Sequence, residues 1–123
     1  MRHGYKKIKF NYGRDAKKML LRKLAINFFS HGKITTTFKR AKVLKSWVEK
    51  LVEKSKAKTE ANKNFLMKYL ANKKIINFLF DQAGPVIKDK TGGYVRVIKL
   101  DQRPSDGSLM CRLEWVYPVV KNG

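Results

Sequence analysis

The sequence predicts an α+β fold, with helices packed on one face of a small sheet, and three observations carry that reading. A helical stretch, a short β-branched run and a second, longer helical stretch fill the first half of the chain. Two more helical stretches follow with no strand between them. Two alternating runs then close the chain, joined by a segment containing Pro and Asp-Gly. Helices and strands do not alternate as a parallel sheet requires, so the order helix, strand, three helices, two strands reads as α+β. With 123 residues and 43% hydrophobic content, the chain has material for one modest core.

Each element has a local reason. In "DAKKMLLRKLAINFFSHG" Asp15 reads as an N-cap, Leu20, Leu21, Leu24 and Phe28 form a helical stripe, and Gly32 suits a left-handed C-terminal position. "KITTT", residues 33–37, is short and β-branched and reads as a strand. In "FKRAKVLKSWVEKLVEKSKAK" Leu44, Trp47, Val48, Leu51 and Val52 fall at i, i+3, i+4, i+7 and i+8, which predicts a long amphipathic helix with Trp47 largely buried. "TEANKNFLMKYLA" gives a shorter helix capped by Thr59, with Phe65, Leu66, Tyr69 and Leu70 inward. "KKIINFLFDQAGP" gives another, stopped by Gly84-Pro85, and residues 86–93 follow as a loop. "YVRVIKL" and "SLMCRLEWVY" are strands; in the second, Leu109, Cys111, Leu113, Trp115 and Tyr117 share one face, and Met110, Arg112 and Glu114 the other.

Charge sets the function class. Lys plus Arg number 29 against 9 acids, a formal net charge of +20, and lysine outnumbers arginine 22 to 7. Self-repulsion on this scale destabilises a compact chain unless a polyanion neutralises it. Lysine is a hydrated point charge, so the partner is read through phosphates and shape more than through base edges. Residues 1–45 hold 14 basic residues and one acid, +13, while residues 46–123 hold 15 basic and 8 acidic, +7. The anion-binding face is therefore expected in the first third. Candidate groups are the i, i+4 row Arg14, Lys18 and Arg22, and the acid-free start of the long helix with Lys39, Arg40, Lys42 and Lys45. Residues 1–14 carry Arg2, Lys6, Lys7, Lys9 and Arg14 among Tyr5, Phe10 and Tyr12, outside any periodic element. Those aromatics either tuck onto the fold or stack on unpaired bases. The expected division is a basic extension 1–14, a single α+β domain 15–117, and a short tail 118–123.

Other chemistry finds little support. His3, His31 and Cys111 make no metal pattern, and the acids form no close pair for acid/base work. His31 reads as a cation at a helix C-terminus and Cys111 as a buried thiol. No enzyme activity, metal or other cofactor is expected. A lone cysteine suits a reducing compartment, no run approaches a membrane span, and no signal peptide is recognised, so the expected location is the cytoplasm. Gly92-Gly93 is either a turn into a strand or a point of close backbone approach to phosphate or ribose; Lys88, Lys90, Tyr94 and Arg96 around it favour the second.

Four stretches together resemble one family over nearly the whole chain: the opening "MRH", "MLLRKLAINFFSHGKITTTFKRAKVLKSWVEKLV", "TGGYVRVIKL" and "RPSDGSLMCRLEWV". They are similar to the bacterial large-subunit ribosomal proteins numbered seventeen in the L series. Ala16-Lys17 and Gly4 depart from the family, which often has His-Arg and a basic residue there. The resemblance implies a structural constituent of the large subunit, bound to 23S-type rRNA beside other ribosomal proteins, on the outer face near the peptide exit region. Taken with the charge pattern, it gives an expected RNA-binding set that adds His3, Lys17, Lys23, Lys33, Thr35, Thr36 and Arg103 to the groups above, with Lys90, Gly92, Gly93, Tyr94 and Arg96. The alternatives are a DNA-compacting or general RNA-binding protein, and after those a membrane-active basic protein.

Overall fold

The structure, a computed structural model, describes residues 14–119, so the tail aromatics Tyr5, Phe10 and Tyr12 and the cations ahead of Arg14 lie outside the described residues. Helix α1 spans Arg14–His31. It begins at Arg14, so Asp15 stands within the first turn and not at the cap. Its buried positions, Leu21, Ala25, Phe28 and Phe29, recur at helical spacing. Gly32 ends it with φ 83°, donating its N–H to the Phe28 carbonyl at 2.7 Å. Strand β1, Lys33–Thr37, follows directly. Thr37 is also the N-cap of α2, Phe38–Lys54, its hydroxyl accepting from the Arg40 N–H at 3.4 Å. Strand thus passes into helix with no linker.

Helix α3, Glu60–Leu70, is capped by Thr59 as the sequence predicts, and Asn72 caps α4, Lys73–Phe78. The expected stop at Gly84-Pro85 does not occur. The helical path continues through a π turn, Leu79–Ala83, into a last short helix α5, Gly84–Ile87, and Ile87 is fully buried. Pro85 has no N–H to give, and its ring crowds the carbonyl four residues back. The widened turn, in which the Gly84 N–H donates to the Leu79 carbonyl, accommodates that defect without breaking the run. Gly84 itself is required for another reason. A Cβ there would stand 2.4 Å from the Ser55 carbonyl oxygen, so the helical backbone packs directly against the end of α2.

Strands β2, Val95–Gln102, and β3, Leu109–Trp115, form the closing hairpin. The three strands make one antiparallel sheet in the order β1-β3-β2, with the last strand central. Its alternation is as read: Cys111, Leu113 and Trp115 are buried, and Arg112 and Glu114 face the other way. The helices cover the buried face, and Phe28 and Phe29 of α1 pack on Trp115 with ring centroids 5.1 and 6.0 Å away. The fold is therefore the expected α+β arrangement. Trp47 differs from expectation. It is half-buried, edge-on to Tyr69 at 6.0 Å, because α3 covers only one flank of α2 at that level. Phe65 and Tyr69 are likewise half-buried, while Leu66 and Leu70 fill the core.

Replacing Gly84 tests the backbone contact. Gly84→Ala is expected to lower stability by about 1–3 kcal/mol, the range for overpacking a filled site, although alanine is the better helix former. Denaturant melts of the two proteins check this; an unchanged midpoint would show that Ser55 yields freely.

Candidate nucleic-acid interface

The sheet pairing decides which cations meet. Lys33 of β1 and Arg96 of β2 both stand opposite Glu114 of the central strand, and Thr35 and Ile98 stand opposite Arg112. Residues facing each other across antiparallel strands share a face. Lys33, Thr35, Arg96 and Arg112 thus gather on the outer, helix-free face around one carboxylate. Glu114 is the organiser. It accepts from Arg96 Nε and Nη2 at 3.0 and 2.8 Å and from Arg112 Nε at 3.0 Å. These bonds, Arg96's foremost, hold its carboxyl below the usual range against the opposing effect of burial.

A second group forms at the start of α2. Phe38 lies between two lysines from different elements, Lys42 Nζ at 5.5 Å and Lys99 Nζ of β2 at 5.4 Å from the ring centroid. Lys39 and Lys42 are exposed on the same turn, Arg40 and Lys45 lie half-buried on its flanks, and the first turn has no acid. The open backbone N–H groups and partial positive charge of a helix start suit a phosphate. Lys99 and Arg112 were missed by sequence reasoning. Arg112 was legible, since the strand alternation puts it on the outward face. Lys99 was not, because only the fold brings it to Phe38.

Other expected residues have structural engagements. Arg22 reaches from α1 to the C-terminal end of α3, Nε donating to the Tyr69 carbonyl at 3.0 Å and Nη2 to the Lys68 carbonyl at 3.3 Å. Lys18, one turn earlier, is exposed, as is Lys23, and Lys17 is half-buried. By the rise per residue they lie roughly 12–20 Å up the helix axis from the end of α1, where β1 begins, so they form a third, separate group. Thr36 is buried opposite Cys111 and has no exposed face to offer RNA. Tyr94 is also withdrawn: it is 1% exposed, and its hydroxyl donates to Glu53 beneath the Lys56 ammonium. Lys90 Nζ stands 5.1 Å above the Tyr117 ring, and its carbonyl accepts from Lys56. Gly92 and Gly93 have φ of 126° and 65°, so the backbone alone requires glycine there. Arg103 forms a two-pronged pair with Asp106 at 3.0 and 2.7 Å across the hairpin turn. His31 Nδ1 donates to the Asn27 carbonyl at 3.0 Å. Cys111 is buried, and burial pushes its thiol up. Among the described residues no group of His, Cys, Asp and Glu is placed to hold a metal, and no helix is long and apolar enough to cross a membrane.

Two outcomes follow from this geometry. Arg22→Ala is expected to cost the free protein about 1–3 kcal/mol, as for hydrogen bonds from a charged donor, whereas Lys18→Ala leaves the melt unchanged; equal effects would deny Arg22 its tie to α3. The second concerns pH. Glu114, Glu53 and Asp106 are all held below their ordinary values, by Arg96, by the Tyr94 hydroxyl and by Arg103 respectively as the foremost causes. The unfolded chain therefore takes up protons first as pH falls. The stabilisation is present above about pH 5 and is lost progressively below it. Thermal melts should show Glu114→Gln less stable than wild type at pH 6, with the gap closing toward pH 3. A gap constant across that range would show that ionisation of Glu114 contributes nothing.

Comparison with known proteins fits this charge-bearing, α+β architecture. A family model described as Ribosomal protein L17 matches residues 20–116. The large ribosomal subunit protein bL17 of Borrelia turicatae (strain 91E135) is 40% identical over 100 residues, covering 81% of this chain and 81% of the relative. The match takes in α1 from residue 20 onward, the whole of α2, all three strands and the hairpin that gathers the outer-face cations, and on that span the chain belongs to the ribosomal protein L17 family.

Proposed function

We propose that this chain, a ribosomal protein of the large subunit, binds large-subunit rRNA through two cationic surfaces: the outer sheet face with Lys33, Arg96 and Arg112, and the start of α2 with Lys39, Lys42 and Lys99. The observation that carries this is the sorting of charge by the fold. Cations from β1, β2 and β3, distant in sequence, gather around Glu114 on the outer face, and Lys99 of β2 joins Lys42 of α2 at Phe38. Phosphate contacts of this kind give strong, salt-dependent binding with little base discrimination. Phe38 adds an aromatic ring among those cations, a feature suited to an unpaired base. Lys17, Lys18 and Lys23 on α1 extend the proposed contact, and the cations of the basic extension 1–14 belong to the same proposed RNA-binding set. The domain 15–117 and the short tail 118–123 complete the division. The family resemblance supports a seat on the outer face near the peptide exit region, beside other ribosomal proteins. The chain's role in this reading is structural, with no reaction assigned.

The test is binding to a large-subunit rRNA fragment across a salt series. Lys39→Gln, Lys42→Gln and Lys99→Gln together are expected to lower the log–log salt slope by about 2–3 units, since each phosphate contact contributes roughly 0.7–0.9. Lys73→Gln with Lys74→Gln, two exposed lysines on α4, should leave the slope unchanged. Equal losses in both variants, with circular dichroism intact, would mean that binding follows net charge and not this surface. Sedimentation of the full chain with large subunits at moderate salt checks the assignment to the particle.

A further inference from the structure

Glu114 carries a charge of the wrong sign for a surface that meets phosphate. Yet it stands in the middle strand, with Lys33 opposite it on one side and Arg96 on the other. Its side chain forms the floor of the group, 19% exposed against 55% for Arg96 and 37% for Arg112. Each carboxylate oxygen serves one guanidinium: Oε2 accepts from Arg96 Nε and Nη2, and Oε1 from Arg112 Nε. A guanidinium is a planar fork, so bonds to one edge also set where the other edge is aimed.

Each arginine has five N–H donors. Arg96 commits two of them to Glu114 and Arg112 commits one. Nη1 of Arg96 and both terminal nitrogens of Arg112 are left without an acceptor among the described residues. Lys33 and Thr35, exposed on β1, stand beside them in the paired rows. Three cations against one carboxylate leave the group net positive, so charge complementarity selects an anion as its occupant. Two magnitudes then oppose each other. Ordering one long side chain on binding weakens an interface by roughly 2- to 12-fold, and Glu114 orders two in advance. The repulsion of one exposed charge changes affinity by only about 1.4- to 5-fold.

We propose that Glu114 is a positioning residue for RNA: it aims the remaining donors of Arg112 and Arg96 at backbone phosphates of rRNA, so that a negative side chain raises affinity for a polyanion. The inference rests on the rRNA-binding reading and gives a role there to an acid that net charge alone would count against binding.

Binding of the full chain to the large-subunit rRNA fragment at one fixed salt concentration tests it, with circular dichroism as the fold control. Glu114→Gln removes a negative charge, and net charge alone would make binding tighter. The expected result is binding weaker on the order of 10-fold. Arg96→Lys with Arg112→Lys keeps every charge but leaves no fork to aim, and it should also weaken binding on the order of 10-fold; this comparison needs no change at Glu114, and an unaltered affinity overturns the inference. In that double-lysine background Glu114→Gln should leave affinity equal or tighten it by up to about 5-fold. A merely structural Glu114 would weaken binding in both backgrounds, and a purely electrostatic one would tighten it in both; either result overturns the inference. So does wild-type affinity in every variant, the outcome if the sheet face meets an acidic protein segment and not RNA. In each of these cases a lowered salt slope for the α2 triple variant leaves the RNA-binding reading standing. Absence of salt-dependent binding by wild type overturns that reading and the inference together.

Discussion

The arrangement depends on one non-local pairing: the last strand of the chain inserts between the first and the second. Thr36 pairs with Cys111, seventy-five positions away, and Val97 with Leu113 on the other side. Until β3 is in place, β1 has no partner and Trp115 cannot reach Phe28 and Phe29. The same strand does opposite work on its two faces. Its inner side chains close the core, while its outer Glu114 draws Arg96 and Arg112 to within hydrogen-bonding distance and faces Lys33. One carboxylate among three cations cannot neutralise the face. It fixes their positions and leaves a net positive surface, which is what a phosphate-reading interface needs.

Self-repulsion is the second constraint, and the fold handles it by specific local pairings. Several cations are tied to groups of the protein itself: Arg22 to the carbonyls of α3, Arg103 to Asp106, Lys56 to the Lys90 carbonyl beside Glu53. Exposed pairs of this sort contribute little individually. Their effect is to hold those side chains in structural ties, while Lys39 and Lys42 at the start of α2, Lys33 on the outer sheet face and Lys18 and Lys23 on α1 stand exposed. The RNA-binding character read from composition is thus distributed unevenly by the fold, and Arg22 and Arg103 serve structural ties despite lying in stretches that look interfacial.

What was legible in the sequence was local. Thr59 as a cap, Gly32 as a left-handed stop and the alternation of β3 all depend on neighbours within a few residues, and each is found as read. What was not legible needed a distant element. Trp47 lies on the hydrophobic stripe of α2, yet its burial depends on how far α3 extends over it, which periodicity does not encode. Tyr94 follows two glycines and sits among lysines, so it resembles an exposed loop aromatic; Glu53, forty-one residues earlier, takes its hydroxyl and brings it inward. Gly84-Pro85 is a reliable stop by local rules, but a π turn and the close approach to Ser55 keep the run helical. Lys99 joins the candidate interface only because β2 is hydrogen-bonded to a strand whose other neighbour leads into α2.

Helix α2 is where these constraints meet. Its buried stripe, from Ala41 to Val52, packs on the sheet and on α1 and α3, so its solvent-facing residues are held at fixed positions from one end to the other. The first turns are acid-free and share Phe38 between two lysines; the last turns carry Glu49 and Glu53, both bonded to the entry of β2. Those bonds also explain why the acids stand there. The Val95 N–H and the Tyr94 hydroxyl lie where the chain turns into the sheet, and buried donors need acceptors. A carboxylate placed to satisfy the fold then removes positive charge from that end of the helix. The electrostatic difference between the two ends of α2 is in this way a consequence of how β2 is anchored.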